Sequence, residues 1–310
     1  MPTALCIPIN DRLVSIDPVV LLDELACGLR STAGKTRTDP LRLTLQNGGL
    51  WMGCGLTSVG SLGLAVAKIS PQPNAQHGQD LLLCFDSMTG HLLYQFDWTH
   101  CSALRTAACS ALAMRALGRG NRRVLAVVGT GLVAYYQVTL LSRVMDLEKI
   151  CIYGRNPLRP RQFIESLLAK VDIPLVNCEC VDQATADADV ICCATDARIP
   201  FLHQRHLLPG AHVNALGGFS SETQEVAEEV IASAKVVCVD SWVDAVQACD
   251  LSAPIDRGLL SDASLIELAE ILNSPIPSLN IDCTTVFKSV GSISCDAIVA
   301  AHIIARIGFL

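Results

Sequence analysis

Charge and aromatic rings are both scarce in this sequence of 310 residues: Asp, Glu, Lys and Arg make up 17% and Phe, Trp and Tyr 5%. The charge that exists is net acidic, −7, which excludes a broad nucleic-acid surface, because such a surface needs basic patches. No apolar run reaches the ~20 residues of a membrane span before meeting a charge, Pro or Gly, so no membrane partner is expected. The opening segment MPTALCIPINDRLVSID has no basic start followed by an apolar core, so no secretory leader is expected and the cytoplasm is the expected location. Apolar residues, at 51%, make up for the missing charge and describe a compact globular chain. Its length exceeds what one hydrophobic core usually serves, so two domains are expected.

Cysteine is abundant, with fifteen, but the pattern that would make it functional is missing. The cysteines sit in apolar strings such as AACSALAM, VICCAT and VVCVDS, where a reduced thiol behaves as a small hydrophobe. Neither Cys178-Glu179-Cys180 nor Cys192-Cys193 has the paired spacing of a zinc site, and His203 and His206 have no evident third ligand, so no metal is expected.

Two grammars divide the chain. Residues 14–30 carry apolar positions at helical spacing after an Asp-Pro start. Residues 41–69 and 80–98 are short apolar runs broken by Gly and Asn, with LRLTLQNGGLWMGCG and DLLLCFDSMTGHLLYQFDW reading as hairpins. That makes the first hundred residues a mixed, antiparallel α+β region. Ser102 to Leu117 is Ala-rich and helical, ending at Gly118. Beyond it, strand candidates 124–128, 150–153, 189–193, 212–216 and 236–239 alternate with helical stretches 132–145, 159–170 and 223–232. This alternation predicts a doubly wound parallel sheet over 119–240. An apolar helix closes the chain and is expected to return to the first domain or to a partner subunit.

The stretch VLAVVGTGLVAYYQV, 124–138, places Gly129, Gly131 and Ala134 where a strand turns into a helix. Gly129 permits the tight turn, Gly131 lets a pyrophosphate approach the backbone, and Ala134 allows close helix packing. A βα turn whose small residues serve packing alone would carry the same letters. An NAD enzyme of this kind usually presents an acid about 20 residues on. Here Tyr153-Gly154-Arg155-Asn156 occupies that place with no acid, and Arg155 is suited to a 2′-phosphate, so NADPH is favoured over NADH. Three cations precede this domain: Arg42 in DPLRLTL, Lys68 in LAVAKIS and Arg105 in SALRTAA. Each is able to clamp a carboxylate, and each also fits a snorkelling surface cation. His77 in NAQHGQD is a polar loop residue or a cofactor contact, and Asp240 ends a strand, where it suits a cap.

Taken in order, LRTAACSALAMRAL, VVGTGLVAYYQV, PGAHVNALGG and TTVFKSVG resemble the ornithine cyclodeaminase/μ-crystallin family from about residue 35 onward. The resemblance implies an α/β fold in which a Rossmann-type doubly wound domain, 119–284, is inserted in a discontinuous α+β substrate and dimerisation domain, 1–118 plus 285–310. It also implies a homodimer. Carried over by position, Arg42, Lys68 and Arg105 match carboxylate-handling cations, with Lys68 the catalytic candidate and Arg105 also facing cofactor. Gln76 and His77 fall near a cofactor loop. Thr130, Leu132, Val133, Arg155, Asn156 and Thr195 match cofactor-facing positions beside Gly129 and Gly131, and Leu216, Lys288 and Ser289 border the nicotinamide side. One departure matters: ornithine cyclodeaminases carry an Asp after the Gly-Gly pair, whereas this chain has Gly217-Gly218-Phe219. Phenylalanine cannot accept a proton. The resemblance therefore points to NADPH-dependent ketimine reductases, NADH being a possible donor. These reduce small anionic imino acids, Δ1-pyrroline-2-carboxylate or Δ1-piperideine-2-carboxylate, to L-proline or L-pipecolate, with Phe219 against the ring. A cyclodeaminase-like enzyme, an opine-type N-substituted amino-acid dehydrogenase and a non-enzymatic μ-crystallin-like binding protein are the alternatives.

Overall fold

The computed structural model describes residues 5–7, 16–32, 42–45, 50–57, 63–71, 79–118, 123–218, 222–276 and 279–307. Two compact units divide the chain, Met1–Arg105 with Gly291–Leu310, and Thr106–Val290.

Unit 1 is built on a six-stranded sheet. Its elements are β1 (Leu5–Ile7), α1 (Pro18–Thr32), β2 (Arg42–Leu45), β3 (Leu50–Thr57), β4 (Leu64–Pro71), β5 (Leu81–Asp86) and β6 (Leu92–Asp97). The order is β1-β6-β5-β4-β3-β2. Strands β2 to β6 form an antiparallel meander, while β1 adds parallel to β6, so the sheet is mixed. The β5–β6 turn follows from its letters: Asp86 Oδ1 accepts the Met88 and Thr89 N–H groups at 2.9 and 2.8 Å, and Gly90 takes φ +71°. In β4 every second residue is buried, Leu64, Val66, Lys68 and Ser70, as the two-residue period of a strand requires. Lysine thus occupies a core-facing position in an otherwise apolar row. The C-terminal helix, Ile293–Ile307, packs on α1, β3 and β4.

The long helix α2 (Thr99–Leu117) contains the division between the units, which falls at Arg105. Alanines 103, 107, 108, 111 and 113 are all buried along it, so it has no solvent face of ordinary width.

Unit 2 is doubly wound. Its strands are β7 (Val124–Val128), β8 (Lys149–Tyr153), β9 (Leu175–Asn177), β10 (Val190–Cys193), β11 (His212–Ala215), β12 (Val236–Val239), β13 (Ile266–Glu267) and β14 (Thr285–Lys288). Its helices are α3 (Leu132–Val144), α4 (Leu158–Leu167), α5 (Val181–Thr185), α6 (Glu228–Ser233), α7 (Trp242–Ala245), α8 (Cys249–Asp256) and α9 (Leu268–Asn273), and the helix Ile293–Ile307 of unit 1 becomes α10. All eight strands run parallel in the order β13-β12-β14-β11-β10-β7-β8-β9. The chain order reverses between β7 and β10, the switch point at whose carboxyl edge ligands bind in such sheets. Leu125–Val128 are buried on both faces, Leu125, Val127 and Val128 each contributing about 1.5–3 kcal/mol of burial.

Four elements depart from the sequence expectation. β14, whose residues the family resemblance groups with the outer domain, makes its ladder bonds to β11 and β12 and so belongs to the parallel sheet. The two-residue β13 and three-residue β9 are too short for periodicity to register. The helix expected over 223–232 begins only at Glu228, because Val226 is bridged to Leu202 and the Phe201 and Leu202 N–H groups both bond to Glu225 O. Among the described residues no helix is long and apolar enough to cross a membrane.

Candidate functional site

Unit 1 gathers charge around one carboxylate. Asp296, in the first turn of α10, is almost wholly buried and accepts Trp98 Nε1–H at 2.8 Å and Arg105 Nε–H at 2.9 Å, with Arg105 Nη2 at 3.3 Å. Lys68 Nζ lies 3.4 Å from Asp296 Oδ2 and 3.3 Å from Asp80 Oδ2, and donates to Ser102 Oγ at 2.8 Å. Burial pushes the Asp296 carboxyl up, but Arg105 and then Lys68 outweigh it and hold its pKa below the ordinary value. Cys101, against the same group, is pushed up by burial and by the negative field of Asp296 and Asp97, so it stays a thiol.

Ser102 and Arg105 are one turn apart on α2 and therefore share a face. Register sets the third cation: Arg42 is opposite Gly53, and Gly53 is opposite Lys68. The two cations thus occupy one row, two strands or roughly 10 Å apart, with a glycine between. The side chain of Arg42 lies outside the described residues, as do Gln76, His77 and Phe219. Lys68 and Arg105 are brought together, both buried, which discards the snorkelling alternative for them. Asp296 and Asp80 escaped the sequence reading. A lone acid inside the apolar run SCDAIVAAHII was the available signal for Asp296.

Unit 2 shows the geometry of a dinucleotide cradle at its switch point. Gly129 has φ +123°, and a Cβ there would come within 2.2 Å of Ala194 O, so only glycine fits between β7 and the end of β10. Gly131 is the N-cap of α3, with no side chain capping the helix and nothing within 4 Å of where its Cβ would be. Helix N–H groups facing open space are what a pyrophosphate takes. The residues present therefore fit a dinucleotide. Thr130, Leu132 and Val133 line this turn; Gly154, at the end of β8, lets Thr130 Cγ2 approach, since a Cβ there would meet it at 3.1 Å. Arg155 is exposed and no hydrogen bond or ion pair to a described residue engages it. Asn156 Oδ1 accepts Leu158 N–H at 3.0 Å, which gives this side chain a role in starting α4.

Below the cradle is a second buried network. Glu225 Oε1 accepts Thr195 N–H and Oγ1–H at 2.6 and 2.7 Å, and Oε2 accepts Gly217 N–H at 2.7 Å. One carboxylate thereby ties the turn after β10 to the turn after β11. Asp250 Oδ1 accepts the Glu225 and Val226 N–H groups at 2.9 and 3.0 Å, and Oδ2 takes Lys288 Nζ–H at 2.8 Å. Lys288 and Asp250 have no exposed surface. Burial raises the Glu225 pKa, partly offset by Lys288. Thr195 and Lys288, cofactor contacts by resemblance, thus spend their polar atoms on Glu225 and Asp250. A Cβ on Gly217 would lie 1.8 Å from Thr195 O, and one on Gly218 2.6 Å from Asp250 Oδ2, so the pair of glycines lets this floor close. Leu216 is buried just before it. Ser289 Oγ donates to Asp240 Oδ2 at 2.6 Å and Val290 N–H to Oδ1 at 3.0 Å, so Asp240 joins the ends of β12 and β14. Glu225 was missed because it sits in 223–232, a segment that reads as a helix, and Asp250 because the sequence reading assigned no element to its segment.

His203 Nδ1 pairs with Glu229 at 2.9 Å and His206 Nδ1 accepts the His203 N–H. Among the described residues no group of three or more His, Cys, Asp or Glu is placed to hold a metal ion.

Known proteins share this architecture and its sequence. A Δ1-pyrroline-2-carboxylate reductase of Bacillus cereus is 29% identical, covering 97% of this chain and 96% of its own. A ketimine reductase mu-crystallin of Macropus fuliginosus is 31% identical over 75% of this chain and 70% of its own. The structure of Thermococcus litoralis Δ1-pyrroline-2-carboxylate reductase in complex with NADH and L-proline superposes with TM-score 0.87 at 24% identity, over 96% of this chain and 95% of that one. The sequence pattern of the ornithine cyclodeaminase/mu-crystallin family matches residues 67–307. This chain belongs to the ornithine cyclodeaminase/mu-crystallin family.

Proposed function

We propose that this chain is an NAD(P)H-dependent reductase of cyclic 2-imino acids, converting Δ1-pyrroline-2-carboxylate or Δ1-piperideine-2-carboxylate to L-proline or L-pipecolate. The observation that carries the reading is the paired burial of Lys68 and Arg105 on Asp296. Two cations held out of water by one buried acid are pre-oriented for a small carboxylate, and they cost little further ordering when it binds. The relatives' names support the same substrate class.

In this reading Lys68, Arg105 and Arg42 hold the substrate carboxylate and so fix the neighbouring C2. A bound dinucleotide supplies the hydride. Hydride goes to C2 of the protonated imine, whose positive charge makes that carbon electrophilic, and a neutral imine takes its proton from Lys68 or a bound water. Gly129, Gly131 and the start of α3 take the pyrophosphate, and the floor made by Thr195, Gly217 and Glu225 supports the nicotinamide end. Phe219, standing where cyclodeaminases have an acid, suits an apolar ring and no ring-closing step. Arg155, exposed at the end of β8 where an NAD enzyme has an acid, supports NADPH as the preferred donor. The thirteen cysteines whose side chains are described are free thiols, in keeping with a cytoplasmic enzyme, and a homodimer is the expected assembly.

The test is oxidation of NADPH and NADH with both imino acids. Turnover is expected with both donors and faster at low NADPH. No turnover of either imine by protein that binds NADPH sinks the reading, and oxidation of linear N-substituted amino acids with NAD⁺ in its place would assign the opine-type alternative. Arg155→Asp is expected to raise the KM for NADPH about 10- to 100-fold and leave NADH nearly unchanged; equal loss with both refutes the 2′-phosphate assignment.

A further inference from the structure

We propose that Asp80 is a specificity-determining residue, selecting ligands that carry a cationic nitrogen beside their carboxylate over ligands that are anionic only. The inference rests on the cyclic-imino-acid reading above and names how this site tells a protonated imine from a 2-oxo acid.

Among the described residues, Ser102 Oγ at 2.8 Å, Asp80 Oδ2 at 3.3 Å and Asp296 Oδ2 at 3.4 Å face the Lys68 ammonium. Among the described residues the other charged groups beside this cluster are Arg105 on α2 and Asp97 at the end of β6, and the Cys101 thiol next to them is neutral. The Lys68 and Asp296 side chains are 3% and 2% exposed, whereas Asp80 keeps 21%. Among the described members of this ion cluster the solvent-facing one is therefore Asp80, and a small ligand that reaches Lys68 arrives beside it. Asp80 does not swing out of the way easily, because its backbone is fastened to the start of α2. Its N–H donates to Thr99 Oγ1 at 3.1 Å and its carbonyl accepts Trp98 N–H at 2.7 Å.

A second anion placed beside Asp80 is repelled, and the more so in a half-buried setting where the effective dielectric is low. A protonated cyclic imine answers this with the N–H⁺ attached to the carbon that bears its carboxylate. The carboxylate goes to Lys68 and Arg105, and the N–H⁺ donates to Asp80. A 2-oxo acid offers a carbonyl oxygen in place of that nitrogen, so an acceptor meets an acceptor. Asp80 thus favours the electrophilic, protonated state of the imine and disfavours carbonyl competitors with the same carboxylate.

The experiment compares wild type, Asp80→Asn and Asp80→Glu, all full-length with matched thermal midpoints, by calorimetric titration with two five-membered-ring ligands. L-Proline brings a cationic nitrogen, and furan-2-carboxylate brings the carboxylate alone. Asp80→Asn is expected to weaken L-proline about 10- to 100-fold, as loss of a charge-assisted hydrogen bond implies, and to tighten furan-2-carboxylate several-fold. Asp80→Glu is expected to keep the wild-type order of the two ligands, including if Asp80→Asn fails to fold. In parallel, kcat/KM for Δ1-pyrroline-2-carboxylate falls in Asp80→Asn while inhibition by pyruvate strengthens. Equal changes for both ligands, no change for either, or a reversed order in Asp80→Glu overturns the role of Asp80. A wild-type enzyme that reduces the imine yet shows any of these leaves the functional reading standing, whereas a wild type that neither reduces it nor binds L-proline removes both.

Discussion

Each unit buries an ionic cluster, and the two are built to opposite ends. In unit 1 two cations and two carboxylates meet, and one of the carboxylates, Asp80, keeps a fifth of its side chain in solvent. In unit 2 two carboxylates and one ammonium meet with Lys288 and Asp250 wholly enclosed, and Glu225 bonds to backbone N–H groups on both of its oxygens. The first arrangement has an edge at which a ligand can exchange with a protein group. The second has none and serves to hold two strand-end turns in place. Burial of charge alone therefore does not mark a binding site, and the open edge of the unit 1 cluster is what supports the proposed one.

The largest expected effect separates the two clusters by function. Lys68→Met or Arg105→Met should lower kcat/KM for the imino acid about 1,000-fold, the equivalent of one or two charge-assisted bonds, while NADPH affinity measured by fluorescence titration changes less than threefold. A parallel loss of cofactor binding would erase the division of labour drawn here. Both variants should also lose about 3 kcal/mol of stability, since each leaves Asp296 short of a counter-charge in a buried place.

Glu225→Gln should show the reverse. One oxygen that accepts from Thr195 or Gly217 becomes an NH₂ facing an N–H, so stability in denaturant should fall by about 2 kcal/mol. Cofactor affinity should fall with it, and the affinity for L-proline alone should hold. Unchanged stability would show that the unit 2 cluster is not the clamp described.

The smallest effect is a pH dependence within unit 1 that lies outside its cluster. His302 on α10 is buried, and burial, then the charge of Arg306, lower its pKa to about 4 from an ordinary 6.5. Arg306 Nη1 sits 2.8 Å from His302 Nδ1, so the ring is held neutral. The unfolded chain binds the proton more readily than the folded one. Stability is therefore present above about pH 6.5 and is lost as pH falls toward about 4, on the order of 2 kcal/mol in all. His302→Gln should flatten the thermal midpoint over that window. Asp296, whose pKa is lowered, should contribute its own loss only at more acid pH.

Much of this was legible in the linear chain, and the limits have a physical form. Gly129 and Gly131 announce themselves because a tight turn from an apolar strand into a helix needs those residues at that spacing. Lys68 and Arg105 stand out because a charge inside LAVAKIS or LRTAACSALA has no reason to be there unless something pairs with it. Their partner could not be read, for Arg105 and Asp296 are 191 residues apart. Glu225 and Thr195 are separated by 30 residues, and the local pattern around Glu225 favours a helix that the Leu202–Val226 bridge prevents.

By itself the sequence determined the alternation that makes a parallel sheet, the glycines that open a phosphate cradle and the cations that suit a carboxylate, all matters of local spacing and side-chain chemistry. Only the tertiary structure decided which acids neutralise those cations and that Asp80, beside Lys68, keeps contact with water. It also decided that Lys288 serves Asp250. Those outcomes depend on burial and on distances between residues far apart in the chain, where a few ångströms of desolvation set the strength of every charge.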